Sequence, residues 1–227
     1  MSNYINVMVI VEGKTEEIFI KRLVAPYLAL KKIYMSATQI SKPGSKGGDV
    51  KFIRVINDIE KHLKQRKDTF VSLFIDYYGL KTDWPGLKKA NNCSIPQVIS
   101  DTINKATREE VIESLSDYRA EHRFIPFVAV HEFEALLFSD PKILATHLHV
   151  KTAAIDEILN ESGEPEAINN NHNTTPSKRL ELLYNRYKKT STGITIAQTI
   201  GIRKIRTQCP LFNSWLQRFE QLHNNTH

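Results

Sequence analysis

The chain has 227 residues, enough for one large domain or one domain with an appendage, and 41% hydrophobic residues give it material for a real core. Only Cys93 and Cys209 are present, which excludes a disulfide framework or a thiolate metal cage and fits a reducing cytoplasm. Its net charge of +6 is unevenly spread: residues 176–227 hold nine Lys or Arg against two acids, leaving 22 basic and 23 acidic residues before them. Such a basic quarter suits a polyanion, and nucleic acid is the commonest large one. The plainer readings are a solvated basic face or an acidic protein partner.

The first element is an apolar strand over 5–11, too short and too soon followed by charge to span a membrane or serve as a signal peptide. It stops at Glu12, and Gly13 reads as a tight turn into a helix over 15–28. A second strand is predicted over 34–40 and a loop over 41–49, with Asp49 placed to cap the next helix. That helix carries the stripe Phe52, Ile56, Ile59 and Leu63. A third strand over 69–75 ends at Asp76. After Gly79 a polar excursion runs to residue 92, followed by a long helix over 95–121 and a fourth strand over 124–130. This alternation predicts an α/β fold with a mainly parallel sheet flanked by helices over residues 1–140. Residues 141–227 read as a helical, basic C-terminal extension. Its helices are expected over 141–160, 177–187, 195–200 and 210–222, with a polar loop at 161–176.

Glu12 and Asp76 both terminate apolar strands, and the ends of parallel strands converge on one edge, where open α/β folds keep their sites. Two carboxylates held there suit Mg²⁺ or Mn²⁺, hard cations that accept oxygen ligands and retain water. The bland competitors are a Glu12 that binds backbone amides at the first helix and an Asp76 that caps a turn. A receiver-like signalling domain would need paired acids after strand one, where this chain has Glu12 followed by Gly13.

The segment Ile10-Val11-Glu12-Gly13-Lys14-Thr15-Glu16-Glu17 resembles the opening motif of the Toprim domain of topoisomerases, primases and overcoming-lysogenization-defect nucleases. In that family a glutamate after strand one and an Asp-x-Asp after a later strand surround divalent metal. Glu12 matches the first element and Asp76 the first aspartate of the second, and the likeness covers residues 1–140. The chain also resembles a bacterial family of small Toprim-like proteins often encoded beside an ATPase, through Asp76-Tyr77-Tyr78-Gly79, His131-Glu132-Phe133-Glu134-Ala135-Leu136-Leu137-Phe138 and Pro176-Ser177-Lys178-Arg179-Leu180. The resemblance implies a Toprim-like (Rossmann-like) fold and a metal-dependent nuclease working with a partner ATPase in DNA repair or anti-phage defence.

The chain departs from the Toprim pattern at Tyr78, which stands where the second aspartate belongs. A phenol with a pKa near 10 does not replace a carboxylate at neutral pH. Asp83, Glu132 or Glu134 could supply the missing charge, with Glu134 preferred and His131 beside it as a catalytic candidate. If residues 131–138 begin a helix, Glu132 and Glu134 diverge by about 200°; if the strand continues, they point the same way. Lys14, Lys46 (with Lys42 in the same glycine loop), Lys178, Arg179, Lys188, Arg203 and Arg206 are the candidate nucleic-acid contacts, with DNA placed before RNA. Two function classes follow. One is a Mg²⁺-dependent nuclease; the other is a catalytically inactive module that binds nucleic acid or docks on an ATPase. Oligomeric state is left open.

Overall fold

The computed structural model describes residues 4–42, 45–46, 50–168 and 174–225, of which Lys42, Ser45, Lys46, Asn224 and Asn225 are described by backbone alone. The chain divides into two compact units: Met1–Val130 with Trp215–His227, and His131–Ser214. The boundary therefore falls ten residues before the expected one at 140, and the last 13 residues belong to the first unit. Among the described residues, no helix is long and apolar enough to cross a membrane.

The first unit is α/β. Strand β1 (Ile5–Val11) leads into a helical run made of α1 (Lys14–Phe19), a π-helical turn (Ile20–Val24) and α2 (Ala25–Ala29). Strand β2 (Ile33–Gln39) follows, and then a small antiparallel hairpin of β3 (Ser41–Lys42) and β4 (Ser45–Lys46). The expected loop at 41–49 thus contains strand pairing. Asp49 lies outside the described residues. The cap of α3 (Phe52–Gln65) comes instead from Asp83, whose Oδ2 accepts the Phe52 N–H at 2.9 Å.

Strand β5 (Thr69–Asp76) is buried along nearly its whole length. Then come the short α4 (Leu87–Ala90), the long α5 (Pro96–Ser114) and α6 (Ala120–Arg123). The helix predicted over 95–121 breaks at Leu115–Arg119, where Arg119 adopts φ +57°. The predicted fourth strand is two short ones, β6 (Phe124–Ile125) and β7 (Val128–Ala129), both pairing with β5. Pro126 sits between them and has no N–H to give to a ladder, which accounts for the interruption.

The sheet order is β2-β1-β5-β6, with every pairing parallel. Helices α1, α3 and α5 pack against its strands. An aromatic column fixes the centre of the unit. Phe127 stacks on Phe74 (5.6 Å) and on Trp215 (5.1 Å), and the Trp215 Nε1–H donates to Ser72 Oγ at 3.0 Å. The buried Arg123 ties the start of β5 to the end of α3, donating to the carbonyls of Thr69, Leu63, Arg66 and Tyr118.

The second unit contains helices and turns, with no strand among the described residues. A 3₁₀ segment (Phe133–Ser139) is followed by α7 (Pro141–Leu148), α8 (Thr152–Ser162) and α9 (Pro176–Leu183). The expected single helix over 141–160 is two, because His149 takes φ +56° and closes α7. A π-helical turn (Lys189–Gly193) leads into α10 (Ile194–Ile200) and α11 (Ile202–Gln208), the latter not anticipated from sequence. Helix α12 (Pro210–Glu220) begins in this unit, and its residues from Trp215 onward belong to the first. The carboxylate of Glu166 accepts the Leu211 and Phe212 N–H groups at 2.7 and 2.9 Å, satisfying donors of the first turn of α12.

Candidate functional site

In the first unit, β1 and β5 are hydrogen-bonded neighbours with Val11 opposite Phe74. Glu12 is the first residue beyond β1 and Asp76 the last residue of β5. Both carboxylates therefore leave the same, C-terminal edge of two adjacent parallel strands, and both side chains are half-buried. The sequence brings these two together as expected.

The glycines around them act in a way the sequence did not reveal. Gly13 has φ −148°, an extended conformation that any residue adopts. Its lack of a side chain matters only for space, since a Cβ there would lie 3.2 Å from Glu16 Oε2. Gly79 is the demanding position. It closes a 3₁₀ turn (Tyr77–Gly79) that follows Asp76 directly, and a Cβ there would lie 2.8 Å from Glu12 Oε2 and 3.1 Å from Oε1. The Glu12 carboxylate is thus seated against the backbone of the turn that Asp76 opens.

Tyr77 and Tyr78 diverge. Tyr77 is buried and its hydroxyl donates to Asn91 Oδ1, whereas Tyr78 is 53% exposed. Their rings meet edge to face at 5.3 Å. Burial pushes both phenols up, so both are neutral at physiological pH.

Glu17 is a site-flanking residue that sequence reasoning passed over. Its carboxylate accepts from Lys21, Gln39 (2.6 Å) and Lys14 (3.1 Å), joining α1 to β2. The Lys21 ammonium, with these partners, holds it well below the usual carboxylate range, at about 2. Lys14, a candidate phosphate contact, is therefore ion-paired with Glu17. Asp83, a candidate ligand, serves as the cap of α3.

In the second unit, Glu132 accepts the Ser177 N–H and Oγ–H, both at 2.9 Å. Glu134 is 1% exposed, with Tyr187 OH at 3.4 Å and Lys189 Nζ at 3.2 Å. Lys189 Nζ also lies 3.7 Å from Glu132. Both acids thus converge on one ammonium, although the segment from Phe133 is helical and not the continued strand in which they would point the same way. Burial pushes Glu134 up to about 7 against the opposing charge of Lys189. Gly193 makes room here, since a Cβ would come within 2.6 Å of Tyr187 OH. His131 is buried, held down to about 4 by burial despite the nearby Glu132, and hydrogen-bonded to the Glu166 backbone. Tyr187 and Lys189 carried no sequence signal, because they lie more than 50 residues from the glutamates they meet.

A family model described as a domain of unknown function, DUF4276, matches residues 11–220. The chain belongs to this family. No match was found among curated proteins or among solved structures. The DUF4276 region spans every acid discussed above and all of the predicted basic contacts.

Those basic residues fare unevenly in the DUF4276 chain. Lys178 pairs with Glu181 at 3.0 Å, and Arg179 with Glu161 at 3.3 Å. The N-terminus of α9, from which Lys178 and Arg179 project, holds the Glu132 carboxylate through the Ser177 N–H. Arg206 donates to Asn213 Oδ1 at 2.7 Å. Lys188 and Arg203 are exposed. Lys42 and Lys46 fall in β3 and β4, and their side chains lie outside the described residues.

Among the described residues, no group of three or more His, Cys, Asp or Glu side chains could hold a metal ion. A Mg²⁺ site in phosphate chemistry commonly uses one or two carboxylates, several waters and the substrate. Glu12 and Asp76 meet that donor count. The pair fits a water-rich Mg²⁺ or Mn²⁺ site and not a closed protein cage.

Proposed function

We propose that this chain is a Mg²⁺- or Mn²⁺-dependent phosphoryl-transfer protein that hydrolyses phosphodiester bonds in nucleic acid, DNA before RNA. The observation that carries the reading is the emergence of Glu12 and Asp76 from one edge of two adjacent parallel strands. That edge is where α/β sheets place their ligands. Likeness of the Glu12 segment and of Asp76 to the Toprim pattern supports it.

In this reading Glu12 and Asp76 hold the cation, and Gly79 lets the backbone of the Tyr77–Gly79 turn sit against the Glu12 carboxylate without displacing it. The ion supplies charge neutralisation at phosphate and an acidified water. Lys188 and Arg203 are among the exposed cations of the basic quarter and would meet backbone phosphate, giving salt-sensitive binding. A partner ATPase and a cytoplasmic setting belong to the same proposal; the free thiols of Cys93 and Cys209 are compatible with the latter.

A second reading is a non-catalytic module that binds nucleic acid or docks on an ATPase. It draws on Tyr78 in place of an aspartate and on the commitment of Asp83, Glu132 and Glu134 to partners within their own units. Titration calorimetry with Mg²⁺ separates the two. A binding isotherm that disappears in Asp76→Asn supports the first reading. A silent titration with intact nucleic-acid binding supports the second and overturns the first.

A further inference from the structure

The most conspicuous exposed aromatic beside the carboxylate pair is Tyr78, which the Toprim pattern would make an acid. It lies two residues after Asp76 and one before Gly79, whose backbone seats Glu12. Tyr77, the other half of the pair, is buried and anchored through Asn91. Its ring supports Tyr78 edge to face at 5.3 Å with an interplanar angle of 80°. Tyr78 is thereby held on a 3₁₀ turn against an anchored ring while 53% of it faces solvent. An exposed aromatic ring supported from behind by a second ring is suited to stacking on a flat ligand.

We propose that Tyr78 is a base-stacking platform at the candidate active edge, and that the substrate is nucleic acid with unpaired bases. The proposal rests on the nucleic-acid reading above and names its substrate class. A stacking face next to the reacting phosphate can be reached only by a base outside a duplex, because paired bases present their edges and not their faces. A neutral phenol serves here better than a second carboxylate would, since it brings no negative charge against the phosphate backbone.

The test is fluorescence anisotropy in EDTA, where cleavage is suppressed, with labelled single-stranded oligonucleotides (dT and rU) and a duplex of equal length. Wild type is expected to bind single strands more tightly than duplex. Tyr78→Ala should weaken single-strand binding by roughly 5- to 150-fold, the range found for loss of one base–aromatic stack, and leave duplex binding within about twofold. Tyr78→Phe should retain the wild-type preference, because stacking needs the ring and not the hydroxyl. Tyr78 is exposed, so an unchanged thermal midpoint will confirm that the variants fold. Equal single-strand affinity in wild type and Tyr78→Ala, or a wild type that prefers duplex, overturns the stacking role while leaving the nucleic-acid reading in place. A wild type that binds neither form overturns that reading itself, and the stacking role with it.

Discussion

Gly79→Ala is a substitution whose effect on the site should far exceed its effect on the fold. The added Cβ would stand 2.8 Å from Glu12 Oε2, about 0.6 Å short of the 3.4 Å at which ordinary contact begins. The neighbour that must yield is the end of a flexible side chain, so an off-rotamer shift of Glu12 costs about 0.5–1.5 kcal/mol. Gly79 does not adopt a left-handed φ, and replacing glycine by alanine in a compatible conformation stabilises by about 0.4–1 kcal/mol through the unfolded chain. The two effects nearly cancel, and the thermal midpoint should stay within roughly 3 °C of wild type. Metal coordination is less forgiving, because ligand distances hold to about 0.2 Å. Mg²⁺ affinity should therefore fall by about 10-fold or more, on the scale of a disturbed metal-supporting shell. Calorimetric Mg²⁺ titration beside a thermal melt reads both quantities. Unchanged Mg²⁺ affinity in a folded Gly79→Ala protein would refute the placement of Glu12 as a ligand, and a midpoint lowered by about 10 °C or more would make Glu12 a structural residue instead.

Two further outcomes concern charge. Glu17 is held at about 2 in the folded chain against an ordinary 4.5, so its contribution is present above 4.5 and is lost as pH falls through about 2. Because Lys14 and Lys21 are solvent-facing, that contribution is discounted to about 1–2 kcal/mol; the gap in thermal midpoint between wild type and Glu17→Gln should be open at pH 7 and closed at pH 2, and a gap independent of pH would dismiss the linkage. Glu134 has the opposite sign: raised to about 7, it favours the folded state below 4.5 and loses that contribution as pH rises through about 7. His131, held down to about 4, adds stability as pH rises toward 6.5, and Glu166, pushed up by burial to about 7, titrates in the same range as Glu134, so between pH 6.5 and 8 the share of Glu134 is read as the difference between wild type and Glu134→Gln. There a group titrating near 7 should cost about 0.8 kcal/mol, and urea midpoints at the two pH values should converge more closely in Glu134→Gln than in wild type; equal slopes would place the titration elsewhere.

The strands that carry Glu12 and Asp76 were legible because buried parallel strands are continuous apolar runs, and each ends at an acid that breaks the run. The glycine loop was less so, since pairing in a two-residue hairpin has no periodicity to read. Pro126 was a visible signal that the fourth strand would be interrupted. The role of Gly79 was invisible, because it depends on where the Glu12 side chain lands and not on the conformation of Gly79 itself. The gathering of Glu132 and Glu134 on Lys189 joins residues about 55 apart in sequence, a distance over which no local pattern reports. The basic quarter shows the converse failure. Counting charge located the surplus, but Lys178 and Arg179 spend theirs on Glu181 and Glu161, and composition does not reveal pairing.

The central claim, a metal-dependent cut made at the Glu12–Asp76 edge, is tested most directly by cleavage of a labelled single-stranded oligonucleotide by the purified chain with Mg²⁺ or Mn²⁺, alone and with the ATPase proposed as its partner. The account predicts cleavage that is abolished by EDTA and by Glu12→Gln, with the thermal midpoint of that variant close to wild type. No metal-dependent cleavage under either condition, or cleavage by Glu12→Gln at the wild-type rate, would contradict it.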